Sequence, residues 1–117
     1  MDGAGRRNRL SGPSAFARVL RSGCRHEGEY LQLVSAAAAA DGGRFGFVIG
    51  RKALPRAVDR NRVRRLLRVV LRDARCAVER FDVILRLKRG APRAEFPLVA
   101  AEATRLLAAV ATESHGR

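Results

Sequence analysis

The sequence predicts an α+β domain in which helices pack on a single sheet. Hydrophobic residues make up 47% of the 117 positions and are spread along the chain, enough for one core and too few residues for two. The apolar spacing switches between two periods, alternation in "YLQLV", "RFGFVI" and "FDVILRL" and steps of three or four elsewhere. These segments follow one another as helix, two or three strands, helix, strand, helix, without an internal repeat.

Each element has its own local reason. "LSGPSAFARVLRSG" reads as a first helix, because Pro13 suits a first turn, Phe16, Val19 and Leu20 share a face, and Gly23 suits the stop. "YLQLV" (30–34) is a strand, and "SAAAAADGG" (35–43) is expected to be the loop of a hairpin leading to a second strand at 44–49. That strand places Phe45, Phe47 and Ile49 on one face. Gly50 opens a basic loop, and an arginine-rich helix follows from about 59 to 78. Residues 81–87 form a strand with Phe81, Val83, Leu85 and Leu87 on one face. A last helix is expected at about 95–111, from Phe96, Val99, Ala103, Leu106, Leu107 and Val110. The whole chain is expected to be one domain with short flexible ends at about 1–6 and 112–117.

Charge narrows the partners. The formal net charge is +13, and 22 of the 24 cations are arginine, Lys52 and Lys88 being the exceptions. So large an excess favours a polyanion, nucleic acid before an anionic membrane surface. No apolar run approaches the roughly 18 residues of a spanning helix, and "MDGAGRRNRL" does not lead into a signal-peptide core. A cytoplasmic protein without a membrane association is expected.

Residues 51–75 hold ten cations and two anions, a net +8. At about 100° per residue, Arg60, Arg64, Arg68, Arg75, Arg72 and Arg65 form one arc, with Arg62 standing off it. Val63, Leu66, Leu67, Val70, Leu71 and Ala74 form a separate apolar stripe suited to docking on the sheet. The series Arg60, Arg64, Arg68, Arg72 repeats like charge at i,i+4, where each pair costs about a few tenths of a kcal/mol. Such repulsion is understandable on a surface that meets a polyanion. The planar guanidinium suits phosphate oxygens and can also stack on bases. Asn61 could cap the backbone or reach a sugar or base edge.

Nothing in the chain has the pattern of a protein active site. Cys24 and Cys76 are far apart and fit no metal or redox spacing, so buried thiols are expected. His26 and His115 lack ligand or base companions and are expected at the surface. The carboxylates are scattered, Glu27 and Glu29 being the nearest grouping, and Ser11, Ser14 and Ser35 lie in turn or cap contexts.

The segment "GRKALPRAVDRNRVRRLLR" (50–68) closely resembles the signature of the bacterial ribonuclease P protein subunit. "RNRLSGPSAFARVLRSG" is similar to that family's N-terminal segment and first helix, and "RFGFVIGRK" and "FDVILRLKRG" to its strands on either side of the signature. The likeness spans about residues 7–110. It implies a four-stranded sheet with three helices in α-β-β-β-α-β-α order and a left-handed crossover around the arginine-rich helix, a fold of the ribosomal protein S5 domain 2-like class.

The resemblance also implies a function. The protein would join a catalytic RNA, the ribonuclease P RNA, that removes the 5′ leader of precursor tRNA. The RNA would supply catalysis through bound magnesium, with no cofactor on the protein alone and no further protein partner required. Arg51, Lys52, Arg56, Arg60, Asn61, Arg62, Arg64, Arg65, Arg68 and Arg72 would face the catalytic RNA. Phe16, Leu20, Tyr30 and Gln32 would line a cleft for the single-stranded leader. Two positions depart from the family: Val69 stands where a glutamate is common, and Leu20 where some members have an aromatic. The alternative is a structural ribosomal RNA-binding protein with no processing role. A DNA-binding helix-turn-helix fits less well, because a strand precedes the arginine helix.

Overall fold

The computed structural model describes residues 9–10, 12–39, 42–75 and 77–115, with side chains to 112. Expectations for Ser11, Cys76, the His115 side chain and most of the two ends lie outside these residues. The elements are α1 (Pro13–Ser22), β1 (Cys24–Glu27), β2 (Leu31–Ala37), β3 (Phe45–Val48), α2 (Ala57–Ala74), β4 (Phe81–Leu87) and α3 (Phe96–His115), with a 3-10 turn at Arg93–Glu95 before α3. The order is that expected, although α3 continues to His115, through residues expected to be a loose end.

The sheet order is β1-β2-β4-β3. The expected hairpin between 30–34 and 44–49 does not form. β4 lies between those strands, antiparallel to β2 and parallel to β3, so β3, α2 and β4 make a parallel crossover. The physical reason is burial on both faces. Val83, Leu85 and Leu87 of β4 enter one core while Ile84 enters a second core behind it. A strand apolar on both faces belongs in the middle of a sheet. The actual hairpin joins β1 to β2, closed by the Gly28 N–H donating to the Leu31 carbonyl at 2.8 Å. β1 reads "CRHE", with no apolar alternation, which is permissible at an exposed edge. β2 runs three residues into the expected loop, so Ser35 is buried within the strand rather than placed in a turn.

α2 and α3 cover one face and α1 the other. Val63, Leu67 and Leu71 of α2 join Phe96, Val99, Leu106, Leu107 and Val110 of α3 and the sheet residues Leu31, Leu33, Val83, Leu85 and Leu87 in the larger core. On the opposite face, Val19 of α1 packs with Leu10, Val34, Ala36 and Ile84. The apolar stripe of α2 therefore meets α3 as well as the sheet, leaving its far side to solvent.

Two buried carboxylates fasten the layers. Glu102 of α3, 6% exposed, accepts from the backbone N–H groups of Glu29, Tyr30 and Leu31 at 2.7, 2.8 and 2.7 Å. Gly28 carries no side chain because Glu102 occupies the space one would need. Asp82 of β4, 2% exposed, pairs with Arg18 of α1 and accepts from Arg44 N–H at 2.9 Å and Ala39 N–H at 3.3 Å. It holds α1 to both ends of the β2–β3 connection.

Candidate nucleic-acid interface

α2 starts at Ala57, two residues before the expected position, with Arg56 as an N-cap residue that makes no side-chain capping bond. Its inward line is Val63, Leu67 and Leu71, all buried. Stepping about 100° per residue puts Arg60 within that line, between the directions of Leu67 and Leu71, rather than on the open arc. The Arg60 guanidinium accordingly turns back and donates through Nη1 to the carbonyls of Leu54 and Pro55, at 2.8 and 2.9 Å. Arg60 is thus a brace for the basic loop. Asn61 is not a cap; its Oδ1 accepts from Arg64 Nη1 at 3.2 Å within the helix.

The helix points outward along Arg62, Arg65 and Arg72, with Arg68 beside them, all four exposed. Arg62, which the arc left aside, belongs to the most open side. Arg51, Lys52 and Arg56 are exposed in the loop leading in, while Arg64 is half-buried.

What marks this surface is its shortage of acids, Asp73 being the one exposed carboxylate of residues 51–75. On other parts of the molecule several cations are paired with acids: Lys88 with Glu27 at 2.9 Å, Arg89 with Glu29 at 2.6 Å, Arg93 with Asp59 at 2.7 Å, and Arg18 with Asp82. Among the described residues, none of Arg51, Lys52, Arg56, Arg62, Arg64, Arg65, Arg68 and Arg72 forms an ion pair. Asp59, one of two anions in the segment, is turned to Arg93. Unneutralised guanidinium groups on a rigid rod present a strong positive field, the arrangement that attracts phosphate.

The second candidate surface lies across the sheet, on the α1 face. Phe16 and Leu20 are half-buried, packed at the rim of the smaller core. The Phe16 ring covers Gly46 so closely that a Cβ there would lie 2.5 Å from its Cζ. Beyond α1, one cross-strand row stays open: Val48, Arg86, Gln32 and Glu27 pair in sequence across the four strands. Val48, Arg86 and Glu27 are exposed, and Gln32 is half-buried with its Nε2 donating to Glu27 Oε2 at 2.7 Å. That bond, with the one from Lys88, holds the Glu27 carboxyl below the usual carboxylate range.

Phe16, Leu20 and Gln32 therefore share this face, but Tyr30 does not. It precedes the strand, and its ring belongs to the core beneath α3. Its hydroxyl donates to Glu95 at 2.7 Å, which raises its pKa, and Arg89 lies 4.8 Å over the ring. Arg86 and Val48 are the floor residues that sequence reasoning missed. Their signal was parity, since 82, 84 and 86 of β4 must share a face.

Cys24 is exposed at the start of the edge strand β1 rather than buried. His26 is half-buried on β1. Among the described residues, no three of His, Cys, Asp and Glu gather where they could hold a metal ion, and no helix is long and apolar enough to cross a membrane.

Known proteins resemble this chain over most of its length. The family model for Ribonuclease P matches residues 5–111. A ribonuclease P protein component from Acidothermus cellulolyticus is 41% identical over 105 residues, covering 86% of each chain. The one from Chloroflexus aggregans is 43% identical over 67 residues, covering 57% of this chain and 49% of that protein. Among solved structures, a mutant of the Staphylococcus aureus RNase P protein with defective mRNA degradation activity superposes with a TM-score of 0.74 at 16% identity, over 97% and 93% of the two chains. The RNase P protein from Thermotoga maritima gives 0.68 at 22% identity, over 85% and 94%.

Proposed function

The chain belongs to the ribonuclease P protein family, and from that premise we propose that it binds a catalytic RNA through α2 and the 5′ leader of precursor tRNA through the α1 face. The observation that carries the first half is the row Arg62, Arg65, Arg68 and Arg72, four exposed arginines on one rigid helix, none of which forms an ion pair among the described residues. Phosphates are the natural counter-charge, and binding them releases condensed counterions. Arg51, Lys52 and Arg56 extend the same field from the loop that Arg60 braces.

The leader, as a single strand, needs a platform for bases and a cation for its backbone. Phe16 supplies an aromatic rim, Val48 an apolar floor, Arg86 the charge and Gln32 a polar edge. Mature tRNA lacks the leader, so this surface would separate substrate from product.

Magnesium ions held by the RNA would supply the hydrolytic chemistry. Assigning them to the RNA is supported by the carboxylates, since six of the eight whose side chains are described are engaged within the protein, Asp73 and Glu79 being the others. Asp82 and Glu102 hold backbone N–H groups, Glu95 accepts from Tyr30, and Asp59, Glu27 and Glu29 pair with cations. The protein's role is then to bind, position and screen charge, in the cytoplasm and without a protein partner.

Reconstitution tests this directly. Protein with ribonuclease P RNA and magnesium should release the 5′ leader at low salt faster than RNA alone, and protein alone should not cut. Cleavage by RNA-free protein, or no effect on the RNA's reaction, would refute the proposal.

A further inference from the structure

On the outward side of α2, Val58 and Val69 are 53% and 42% exposed. They alternate with exposed arginines, and Val58, Arg62, Arg65, Val69 and Arg72 follow one another at spacings of four, three, four and three residues. That spacing makes one continuous strip along a helix, opposite the buried line of Val63, Leu67 and Leu71. Nothing local requires valine there, since β-branched residues are mediocre helix formers and these two pack on no core. Among the described residues, they are two of only four large apolar side chains so exposed.

We propose that this strip lies along the shallow minor groove of an A-form RNA stem, with Val58 and Val69 against ribose faces and Arg62, Arg65 and Arg72 on the bordering phosphates. The proposal rests on the reading that α2 meets RNA and specifies which kind of RNA element it meets. The flanking arginines select a polyanion over an apolar protein partner. The strip has no aromatic ring, so it lacks the stacking platform by which splayed single strands are held. The major groove of A-form RNA is too deep and narrow for a helix, whereas the minor groove is wide, shallow and lined with ribose. The two valines are about 16 Å apart at the rise of a helix, so they touch separate sugars along one stem. Recognition of this kind follows shape and the 2′-hydroxyl edge, with little dependence on base sequence.

The test titrates the full chain with three probes: an RNA duplex of about 16 base pairs, the same sequence as DNA duplex, and one strand of the RNA alone. The wild type should prefer the RNA duplex. V58A/V69A, whose alanines favour the helix, should lose about five-fold or more on the RNA duplex. Its salt dependence should not change, and its affinity for the other two probes should stay near wild type. A variant that binds the RNA duplex as well as wild type, or weakens on all three probes alike, would overturn the minor-groove assignment. So would a wild type with no preference for the RNA duplex. R62A/R65A separates this from the underlying reading: full affinity for every probe in that variant would instead remove RNA from α2 altogether.

Discussion

The Phe16 ring lies directly over Gly46, and a Cβ at Gly46 would come within 2.5 Å of its Cζ. An aromatic on α1 is thereby fixed at the edge of the open row formed by Val48, Arg86, Gln32 and Glu27. Phe16→Ala should weaken precursor tRNA binding to the assembled ribonucleoprotein by about five-fold or more, the usual worth of one base stacked on an aromatic. Mature tRNA should bind as before. Paired titrations check this, with circular dichroism to show that the rim of the smaller core survives. Equal weakening of both tRNAs would return Phe16 to a packing role.

Arg60 and Arg62, two residues apart, have opposite duties. Arg60→Ala frees the Leu54 and Pro55 carbonyls and should lower stability by about 1–2 kcal/mol, since both bonds have a charged donor. Arg62→Ala should leave the melting temperature near wild type while weakening RNA binding. Thermal melts and RNA titrations of the two variants should therefore rank them in opposite order.

Glu102 accepts three backbone N–H groups of the β1–β2 turn. Glu102→Ala strands those donors and should cost about 3 kcal/mol or more. Glu102→Gln retains one acceptor oxygen and should cost less. Denaturant unfolding would measure both. The arginines of α2 take no part in these bonds, so RNA affinity of the folded Gln variant should hold.

Tyr30 is the only tyrosine in the chain. Its hydroxyl donates to Glu95, which raises its pKa above the ordinary value of 10.0. The contribution exists while the phenol is protonated. It is fully present below the unfolded pKa and is lost as pH rises from there through the higher folded value. The stability advantage of wild type over Tyr30→Phe should thus be constant near neutrality and shrink above about pH 10. Melts across that range would show it, and an advantage that grew with alkalinity would contradict the bond.

The helices were legible because their apolar spacing and stop signals are local. Strand pairing was not, since alternation at 30–34 and 44–49 says nothing about which strand lies between them. The clue was Ile84, an apolar residue on the face of β4 opposite Val83 and Leu85, which marks a strand buried on both sides. β1 was unreadable, an edge strand with no apolar face. On the site, clustering drew attention to α2, and the wheel placed the apolar stripe on the side that the core takes. The cationic arc, however, took in Arg60, which lies within that stripe, and left out Arg62. In the structure Arg60 turns back to the Leu54 and Pro55 carbonyls, and Arg62 stands exposed. Tyr30 was misplaced because alternation with Gln32 and Val34 starts only at Leu31, after a turn that Glu102 holds.

The most direct measurement is the salt dependence of affinity for ribonuclease P RNA. If the unpaired arginines meet phosphates, replacing Arg62, Arg65 and Arg68 by alanine should flatten the log–log slope by roughly 2–3. Replacing Lys88, Arg89 and Arg93, whose charges are already matched with acids, should change it much less. A slope unaltered by the α2 triple variant, or altered equally by both sets, would contradict α2 as the RNA interface.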